Sequence, residues 1–453
     1  MFRKLTDLNL RRYSLPGLKK WIFVGFLGSV FGLLGAALLF QLRPVTRLRE
    51  LFWFVTESTA KLLPTYVSGS LAILIGIILI AYAMISANKE VVKALAPEMA
   101  GSSVLDALDK FHSLSRGVKV VAIGGGTGLS TLLSGLKFYT ANITAIVTVA
   151  DDGGSSGRLR EELGIIPPGD IRNCIAALAD EDKIITELFQ YRFKSGQNLE
   201  GHSFGNLFLT ALREVMGGDF IKAVRAASLI LRSKGTVLPS SPEPMKIIAE
   251  LTDGRIIEGE SKIPQAKGKI KRVYCEPEKP KAQEEAIEAI LNAELIVFGP
   301  GSLYTSIIPN LLLPEIVDAI KKSTAHKVFV CNIMTQPGET TGCTVSDHVS
   351  AVLEHAKCPN LIDVVVVNDR HPEVLLEKYK EKNQEPVVID AEKIQELGIR
   401  IVARNLIKEE DLVRHNPKLL AKAVLLWHRR WQKYPVKKDN RVETRHGVSL
   451  PGK

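Results

Sequence analysis

A glycine-rich run at Gly124–Gly128, which reads GGGTG, joins a short β-branched segment to a helical segment. Backbone N–H groups in such a turn can approach a phosphate closely, and the positive end of the following helix favours its charge. A tight turn without a ligand also needs glycine, so the run by itself leaves both interpretations open. Leu129 stands where a dinucleotide fingerprint has its third glycine, and no Gly-Lys-Ser/Thr follows, which argues against that motif and against a P-loop.

Two adjacent carboxylates, Asp151 and Asp152, follow the next β-branched run and precede a stretch of glycines and serines. In an open parallel sheet, ligands bind beyond the carboxyl ends of the strands, where paired acids could hold a ribose or a Mg²⁺ ion. A turn without a ligand is the alternative. We predict that Asp151→Asn or Asp152→Asn weakens ligand binding and leaves the fold intact.

Two further clusters precede helical segments. Asp170 is either the N-cap of its helix or a side chain that faces the same cleft as the paired acids. His202 could act as a general acid or base, but a lone histidine before a helix is more often structural. Ser203 and Asn206, beside it, are predicted to form hydrogen bonds at the helix N-terminus.

Two later loops, at 299–306 and 331–340, also follow predicted strands and carry hydroxyl and amide groups that could bind a phosphate, base or sugar. Asp151 and Asp152 are the predicted metal ligands, and Mg²⁺ is the cofactor that two adjacent carboxylates suggest. The complete set of predicted ligand-binding residues is Gly124, Gly125, Gly126, Thr127, Gly128, Asp151, Asp152, Gly153, Ser155, Ser156, Asp170, Asn173, Ser203, Asn206, Gly301, Ser302, Thr305, Ser306, Asn332, Thr335 and Gln336.

The first glycine run permits a direct prediction. If the backbone N–H groups of Gly125, Gly126 and Gly128 lie against a phosphate, a β-carbon there would push the ligand out of hydrogen-bonding range. Gly126→Val should then abolish nucleotide binding. Gly135→Ala, on the following helix, is expected to be nearly silent and would serve as the control.

The elements that must position these loops alternate between β-branched runs and helical segments, which is typical of βαβ units. The sequence therefore predicts an α/β fold with a Rossmann-like, mainly parallel sheet flanked by helices, over residues 118–434. The predicted strands are Val118–Ile123, Ile143–Val149, Ala293–Phe298, Lys327–Cys331 and Val364–Val367.

The N-terminal third predicts a membrane anchor. Trp21–Phe40 and Tyr66–Ala87 are uncharged and long enough to cross a bilayer, although two buried soluble helices are the alternative. The basic residues before the first run favour a cytoplasmic N-terminus. We expect a cytoplasmic basic segment at 1–20, a transmembrane helical hairpin at 21–87, a linker at 88–117 and a basic, disordered tail at 435–453. The protein would thus be a multi-pass membrane protein whose main domain is cytoplasmic.

Charge and cysteine content limit the partners. The formal net charge is +10, and part of the excess lies at the two ends of the chain, which indicates membrane headgroups and no nucleic-acid surface. The five cysteines are odd in number, widely spaced and without a C-x-x-C pair. They predict reduced cytosolic thiols, no disulfide and no zinc site.

The motifs GGGTGLS, VADDGGSSGRLR, PPGDIRNC, GHSFGNL, GPGSLYTSIIPNLL and NIMTQPGET occur in this order between about Val118 and Tyr434. Together they closely resemble the YvcK-type gluconeogenesis factors of the CofD-like superfamily. The resemblance implies a Rossmann-like fold that binds a nucleotide sugar such as UDP-N-acetylglucosamine. It also implies a role in cell shape and in carbon balance during gluconeogenic growth.

Three functions are compatible with these sequence features. The first is a membrane-tethered, non-catalytic regulator that binds a nucleotide sugar. The second is a Mg²⁺-dependent transferase of the 2-phospho-L-lactate type, which the resemblance to CofD implies. The third is an NAD(P)-dependent oxidoreductase, which the missing third glycine disfavours. The base, the sugar and the oligomeric state do not follow from the sequence.

Overall fold

The computed structural model describes residues 112–179, 183–433 and 442–443, together with single helical positions between 47 and 67. The chain divides into two compact units, Met1–Val104 and Leu105–Lys453. The fold below is that of the second unit.

The second unit is built around an eight-stranded sheet in which every neighbouring pair is parallel. Its order is β13-β10-β9-β8-β7-β1-β2-β3, and the antiparallel strands form two smaller sheets, β5-β4-β6 and β11-β12. The strands are β1 Val120–Gly124, β2 Ile143–Val147, β3 Thr236–Pro239, β4 Lys246–Leu251, β5 Ile256–Glu258, β6 Ile270–Glu276, β7 Leu295–Phe298, β8 His326–Val330, β9 Val364–Asn368, β10 Arg400–Arg404, β11 Ile407–Glu409, β12 Val413–His415 and β13 Val442–Glu443.

Helices cover the main sheet and connect most of its strands. They are α1 Gly126–Leu136, α2 Gly154–Leu163, α3 Gly169–Leu178, α4 Lys183–Gln190, α5 Phe204–Val215, α6 Phe220–Ile230, α7 Glu284–Leu291, α8 Ile308–Leu311, α9 Pro314–Lys322, α10 Val345–His355, α11 Leu376–Lys380, α12 Ala391–Glu396 and α13 Pro417–Lys433. A π-helical turn, Leu303–Ile307, leads into α8, and a short 3-10 turn spans Pro264–Ala266.

The central strands have this arrangement because their residues are apolar on both faces. Every residue of β1 and β7 is buried, as expected for a parallel sheet with helices on each side. Helix α1 buries Leu129, Leu132, Leu133 and Leu136, spaced three and four apart so that they share one face. The predicted mainly parallel α/β sheet is therefore confirmed.

The order in which the chain adds strands to the sheet reverses between β1 and β7. From β1 the chain builds outward through β2 and β3, and the later strands β7 to β10 extend to the other side. Val120 pairs with Ile143 on one side and with Leu295 on the other, so β1 and β7 begin in register. Reversals of this kind open a crevice at the carboxyl ends of the two strands, which is where α/β folds bind ligands.

Helix α13 packs closely against α1 at Gly135, and this contact contradicts the prediction that Gly135→Ala is nearly silent. A β-carbon on Gly135 would overlap the carbonyl oxygen of Pro417 and lie 3.1 Å from the Cβ atom of Ala421. Gly135→Ala is therefore not a silent control, because α13 packs against the position that a methyl group would occupy.

A second hydrophobic cluster lies beside the main core. It consists of Ile333, Met334, Tyr379 and Val413, with Leu375 and Ile407 packed against it. It joins the loop after β8 to α11 and to the β11–β12 hairpin. The sequence did not predict α11 or this hairpin. Short strands of three residues carry too few alternating positions to be recognised by periodicity.

The predicted membrane spans lie outside the described residues, apart from Val67, and remain a prediction. No single helix within the described part of the chain is long and apolar enough to cross a bilayer. One bent pair, Leu303–Leu311 with Pro314–Lys322, meets the criteria by length and composition only. In the tail that was predicted to be disordered, Val442–Glu443 pairs with β10 as an edge strand.

Candidate functional site

The first glycine loop meets an internal carboxylate. The backbone N–H of Gly126 donates a hydrogen bond to Asp170 at the start of α3. A β-carbon on Gly125 would lie 2.6 Å from the Asp170 Oδ2 atom. The N-cap of α3 is Pro168, so Asp170 faces the glycine loop instead of capping its own helix. One of the N–H groups predicted to bind a phosphate is thus already paired with a side chain of the protein.

Gly126→Val is consequently an ambiguous test of phosphate binding. Gly126 has a φ angle of +63°, in the left-handed region that a β-branched residue rarely adopts. The substitution would strain the loop whether or not a ligand binds there.

Gly128 has a different role, because it packs against the loop after β7. A β-carbon there would overlap the carbonyl oxygen of Pro300 and lie 2.8 Å from the Cα atom of Gly301. The two glycine-rich loops on either side of the strand reversal therefore touch, backbone to backbone. This contact brings the N-terminus of α1 beside Ser302.

A cavity of about 330 Å³ opens at this contact, and we call it the switch-point cavity. The first turn of α1, the loops after β7 and β8, α11 and the β11–β12 hairpin all contribute to it. Its lining residues are Thr127, Gly128, Thr131, Pro300, Gly301, Ser302, Asn332, Ile333, Met334, Thr335, Gln336, Tyr379, Gln384, Leu412, Val413, Arg414 and His415.

Side-chain hydrogen bonds hold the walls of the switch-point cavity together. Asn332 accepts from the Gly301 N–H through Oδ1 at 3.0 Å and donates through Nδ2 to the Gly301 carbonyl at 2.7 Å. The Val413 N–H donates to the Tyr379 hydroxyl at 2.9 Å. The Glu409 carboxylate accepts the backbone N–H groups of residues 373–375, just before α11. These bonds fix the loop after β7 to the loop after β8, and they fix α11 and the segment before it to the β11–β12 hairpin.

A cluster of carboxylates lies behind the glycine loops. Burial, and then repulsion by Asp151, raises the pKa of Asp170 to about 7. Burial also raises the pKa of Asp151, and it raises that of Glu260 well above its usual value, with Asp170 and Asp151 adding repulsion. Burial raises the pKa of Glu339 to about 7 against hydrogen bonds from Thr305 and the Tyr304 N–H. The cluster therefore holds protons near neutral pH.

The charge of this cluster suits a cation, but the described residues do not form a ready-made metal site. Glu260 Oε2 is buried without a hydrogen-bond partner in the described part of the chain, and a cation would relieve the mutual repulsion. Asp151 Oδ1 accepts from the Gly153 N–H at 2.9 Å, and Asp152 Oδ1 accepts from the Ser261 N–H at 2.8 Å. Over the described ranges, no group of three or more His, Cys, Asp or Glu residues is arranged to hold a metal ion.

A second cavity, of about 560 Å³, lies at the N-terminus of α2, and we call it the α2 cavity. It is lined by Asp152, Gly154, Ser155, Gly157, Arg158, Glu161, Arg192, Glu200 and Gly201. Of the predicted residues, Asp152 and Ser155 line this cavity. Both arginines are anchored on backbone carbonyls, Arg158 on that of Glu200 and Arg192 on that of Gly201.

The remaining predicted residues mostly bind one another. His202 Nδ1 lies 3.0 Å from Ser155 Oγ, which also accepts from Asn206 Nδ2 at 3.0 Å. Ser203 caps α5 by accepting from the Asn206 N–H, and its hydroxyl also accepts from Arg172. The buried His202 thus has a structural partner. Others of the set form similar internal contacts: Asn173 with Arg172, Ser156 with Asn206 and Asp151, and Thr305 with Glu339.

The structure divides the predicted set among the switch-point cavity, the α2 cavity and internal hydrogen bonds. Thr127, Gly128, Gly301, Ser302, Asn332, Thr335 and Gln336 line the switch-point cavity. The other lining residues were not in the predicted set, and the polar side chains Tyr379, Gln384, Arg414 and His415 are among them. They come from a five-residue helix, a loop and a three-residue strand. Neither glycine nor clear periodicity marks these segments in the sequence.

Comparisons with known proteins agree with this architecture. The family described as 2-phospho-L-lactate transferase CofD matches residues 120–407. The Gluconeogenesis factor of Bacillus subtilis strain 168 is 48% identical over 300 residues, which cover 66% of this chain and 94% of that protein. A relative from Nostoc sp. strain PCC 7120 is 50% identical over 422 residues, 92% of each chain. A crystal structure of a Bacillus halodurans protein has a TM-score of 0.67 at 47% identity, and covers 68% of this chain and 100% of its own.

The fold and the paired glycine loops define a CofD-like α/β protein with a crevice where its strand order reverses. The chain belongs to the gluconeogenesis-factor family within that group. The Nostoc alignment extends into the N-terminal third, whereas the Bacillus subtilis relative matches a shorter part of the chain.

Proposed function

We propose that this protein binds a nucleotide sugar, of the UDP-N-acetylglucosamine type, in the switch-point cavity. The observation that carries the proposal is the meeting of the α1 N-terminus with an exposed arginine, Arg414, across one crevice. First-turn N–H groups of a helix have no partner within the helix, and they favour negative charge. An arginine opposite them supplies charge-assisted hydrogen bonds to phosphate oxygens.

The neutral walls suit the rest of such a ligand. The hydroxyls of Thr131, Ser302 and Thr335 and the amide of Gln384 offer donors and acceptors to a ribose or a sugar. Tyr379 and Met334 supply apolar surface for a base. The volume is at the lower end of the roughly 300–1,000 Å³ found for small-molecule pockets.

The location can be tested by filling each cavity separately. Thr131→Phe places a ring in the switch-point cavity, and its matched control, Glu161→Phe, places the same ring at the α2 cavity. Calorimetric titration with UDP-N-acetylglucosamine should show binding by the parent and by Glu161→Phe, and none by Thr131→Phe. Loss of binding in Glu161→Phe alone would assign the ligand to the α2 cavity and refute the proposal.

A transferase is the second candidate, favoured by the buried carboxylates near neutral pKa. The pKa of Asp170 is about 7, as a general acid or base at neutral pH requires. A transferase of this type would also need a Mg²⁺ ion at Asp151 and Asp152, where the described residues form no ready-made metal site. The test is to incubate the protein with the ligand and Mg²⁺ and to measure nucleotide release. Release by the parent, together with none by an Asp170→Asn variant that still binds the ligand, would favour a transferase over a regulator. Binding without any turnover supports the regulator.

We further infer that ligand binding regulates cell shape and carbon metabolism from a membrane-tethered position. The name of the relatives, Gluconeogenesis factor, supports the role in carbon metabolism, and the two apolar runs before residue 88 support the tethering. The role in cell shape is what the family resemblance implies. A deletion strain grown on a gluconeogenic carbon source should be rescued by the parent and not by Thr131→Phe. A periplasm-specific reporter fused after Lys453 should give no signal.

A further inference from the structure

Gln336, in the wall of the switch-point cavity, has a side chain that a buried carboxylate holds from behind. Gln336 is half-buried and lines the cavity. Its Nε2 atom donates a hydrogen bond to Glu339 Oε1 at 3.0 Å, and Glu339 is only 5% exposed. The same Glu339 oxygen accepts from the Thr305 hydroxyl at 3.2 Å, and Glu339 Oε2 accepts from the Tyr304 N–H at 3.3 Å. Glu339 therefore ties the Gln336 side chain to the π-helical turn after β7.

The Glu339 carboxylate determines which end of the Gln336 amide is left for a ligand. An ionised carboxylate only accepts hydrogen bonds, so it must face Nε2, because a reversed amide would set two acceptor oxygens against each other. The backbone at this position is fixed as well, since the Gln336 N–H donates to the Thr340 hydroxyl at 2.9 Å. No described residue donates a hydrogen bond to Gln336 Oε1, and this atom is not buried. The side chain thus offers a free acceptor in a single orientation.

A fixed acceptor discriminates between ligands only where the partner group cannot adapt. A hydroxyl rotates and can pair with either end of an amide, whereas a neutral N–H can only donate. A uracil-type base carries an imide N–H on its ring edge, at the place where a cytosine ring has a bare nitrogen acceptor. Met334 and Tyr379, which line the same cavity, supply the apolar surface for such a base.

We propose that Glu339 is a positioning residue that holds Gln336 so that its Oε1 atom accepts a hydrogen bond from the imide N–H of a uracil-type base. This inference rests on the proposed function and assigns the base specificity of the same cavity. A cytosine would place its ring acceptor against Oε1. Gln336 cannot reverse its amide to donate instead, because Glu339 holds Nε2. The unpaired acceptors therefore oppose binding of a cytidine nucleotide.

The experiment is a calorimetric titration with UDP, CDP and UDP-N-acetylglucosamine at pH 8. This pH lies above the pKa of Glu339, which burial raises to about 7, so the carboxyl group is mostly ionised. The parent should bind UDP at least about tenfold more tightly than CDP. Gln336→Leu should weaken UDP binding about tenfold, the size expected for one lost neutral hydrogen bond, and bring the affinities for UDP and CDP together.

A second variant, Glu339→Gln, separates positioning from packing. An amide at position 339 can donate as well as accept, so the Gln336 amide can reverse and donate to the cytosine ring nitrogen. The affinity for CDP should rise about tenfold, and that for UDP should change by less than about threefold. A purely structural role of Glu339 would weaken both nucleotides together. In a Gln336→Leu background, the same substitution should leave the ratio of UDP to CDP affinity unchanged, because Glu339 acts through Gln336.

Glu315→Gln is the matched control for replacing a carboxylate with an amide. Glu315 Oε2 accepts the Ala282 N–H at 2.7 Å, and Glu315 lines neither of the two cavities, so this variant should bind all three ligands as the parent does. Circular dichroism would check that each variant is folded.

Three results would overturn the inference alone. The first is a parent that binds UDP and CDP equally, or a folded Gln336→Leu that keeps the preference for UDP. The second is a parallel loss of UDP and CDP affinity in Glu339→Gln. The third is a Gln336→Leu variant that loses affinity for UDP-N-acetylglucosamine but not for UDP, because the contact would then lie on the sugar. No binding of any nucleotide by the parent would overturn the proposed function together with the inference.

Discussion

The two cavities both open at a helix N-terminus that follows a glycine-rich loop, yet their walls differ in charge. Hydroxyl, amide and backbone groups line the switch-point cavity, with Arg414 as its charged group. The α2 cavity sets the carboxylates of Asp152, Glu161 and Glu200 against two arginines that backbone carbonyls already anchor. A diphosphate entering the α2 cavity would meet like charges. The comparison shows that a helix N-terminus does not make an anion site unless the surrounding side chains leave it available.

The largest difference between the two cavities should appear in how much an alanine in each glycine loop lowers the unfolding free energy of the protein. Gly128→Ala, in the switch-point cavity, forces a methyl group into the Pro300 backbone and should cost about 3 kcal/mol of unfolding free energy. Gly154→Ala, in the α2 cavity, has no atom within 4 Å of the new carbon and a φ of +48°, and should cost about 1 kcal/mol.

Urea unfolding of both variants measures these costs. Gly124→Ala, whose new β-carbon would have Leu129 as its nearest neighbour at ordinary contact distances of 3.7 and 3.8 Å, controls for adding a methyl group to the same loop. Equal losses for Gly128→Ala and Gly154→Ala would show that the two loops do not differ in backbone packing.

The next largest effect should be on ligand affinity. Arg414→Ala should weaken UDP-N-acetylglucosamine binding by about ten- to a hundredfold, because a charge-assisted contact of roughly 1.5–3 kcal/mol is lost. Arg192→Ala, in the α2 cavity, should change the affinity by less than about twofold, since surface charges away from a ligand contribute little. Isothermal calorimetry of both variants tests the assignment, and a larger effect of Arg192→Ala would reverse it.

A smaller effect concerns pH and the carboxylates behind the glycine loops. The folded pKa of Asp170, about 7, exceeds its usual value of 3.8, so the native state binds more protons than the unfolded state between these values. Stability should therefore fall as the pH rises through this window. Asp170→Asn should flatten the decrease in Tm between about pH 4 and pH 7. Scanning calorimetry is the measurement, and Glu161→Gln controls for loss of an exposed carboxylate. If the Tm of Asp170→Asn decreases with rising pH as steeply as that of the parent, Asp170 is not the source of the decrease.

The smallest effect is expected at Ser155, where the α2 cavity meets the buried network of His202 and Asn206. Ser155→Ala removes these hydrogen bonds and should reduce stability by about 1 kcal/mol. Binding of UDP-N-acetylglucosamine should not change. A clear loss of affinity in the folded variant would mean that the two cavities act as one site.

Much of the fold could be predicted from local hydrophobic patterns in the sequence. The β-branched runs predicted β1, β2, β7, β8 and β9, because strands buried on both faces are continuously apolar. Shorter elements such as β12 and α11 were missed, since three to five residues carry little periodicity. The site was predicted in part for the same reason. Glycine loops after strands are visible in the sequence, whereas Arg414 and Tyr379 reach the cavity only through the hairpin and the second hydrophobic cluster.

The sequence by itself determined the α/β class, the positions of the glycine loops and the family, because sterics, periodicity and ordered motifs are properties of neighbouring residues. Only the tertiary structure decided which polar groups line a cavity and which face each other. Asp170 contacts the first glycine loop, and α13 packs against Gly135. Both contacts join segments that are distant along the chain. Such contacts depend on how the helices pack on the sheet, and no local pattern records that packing.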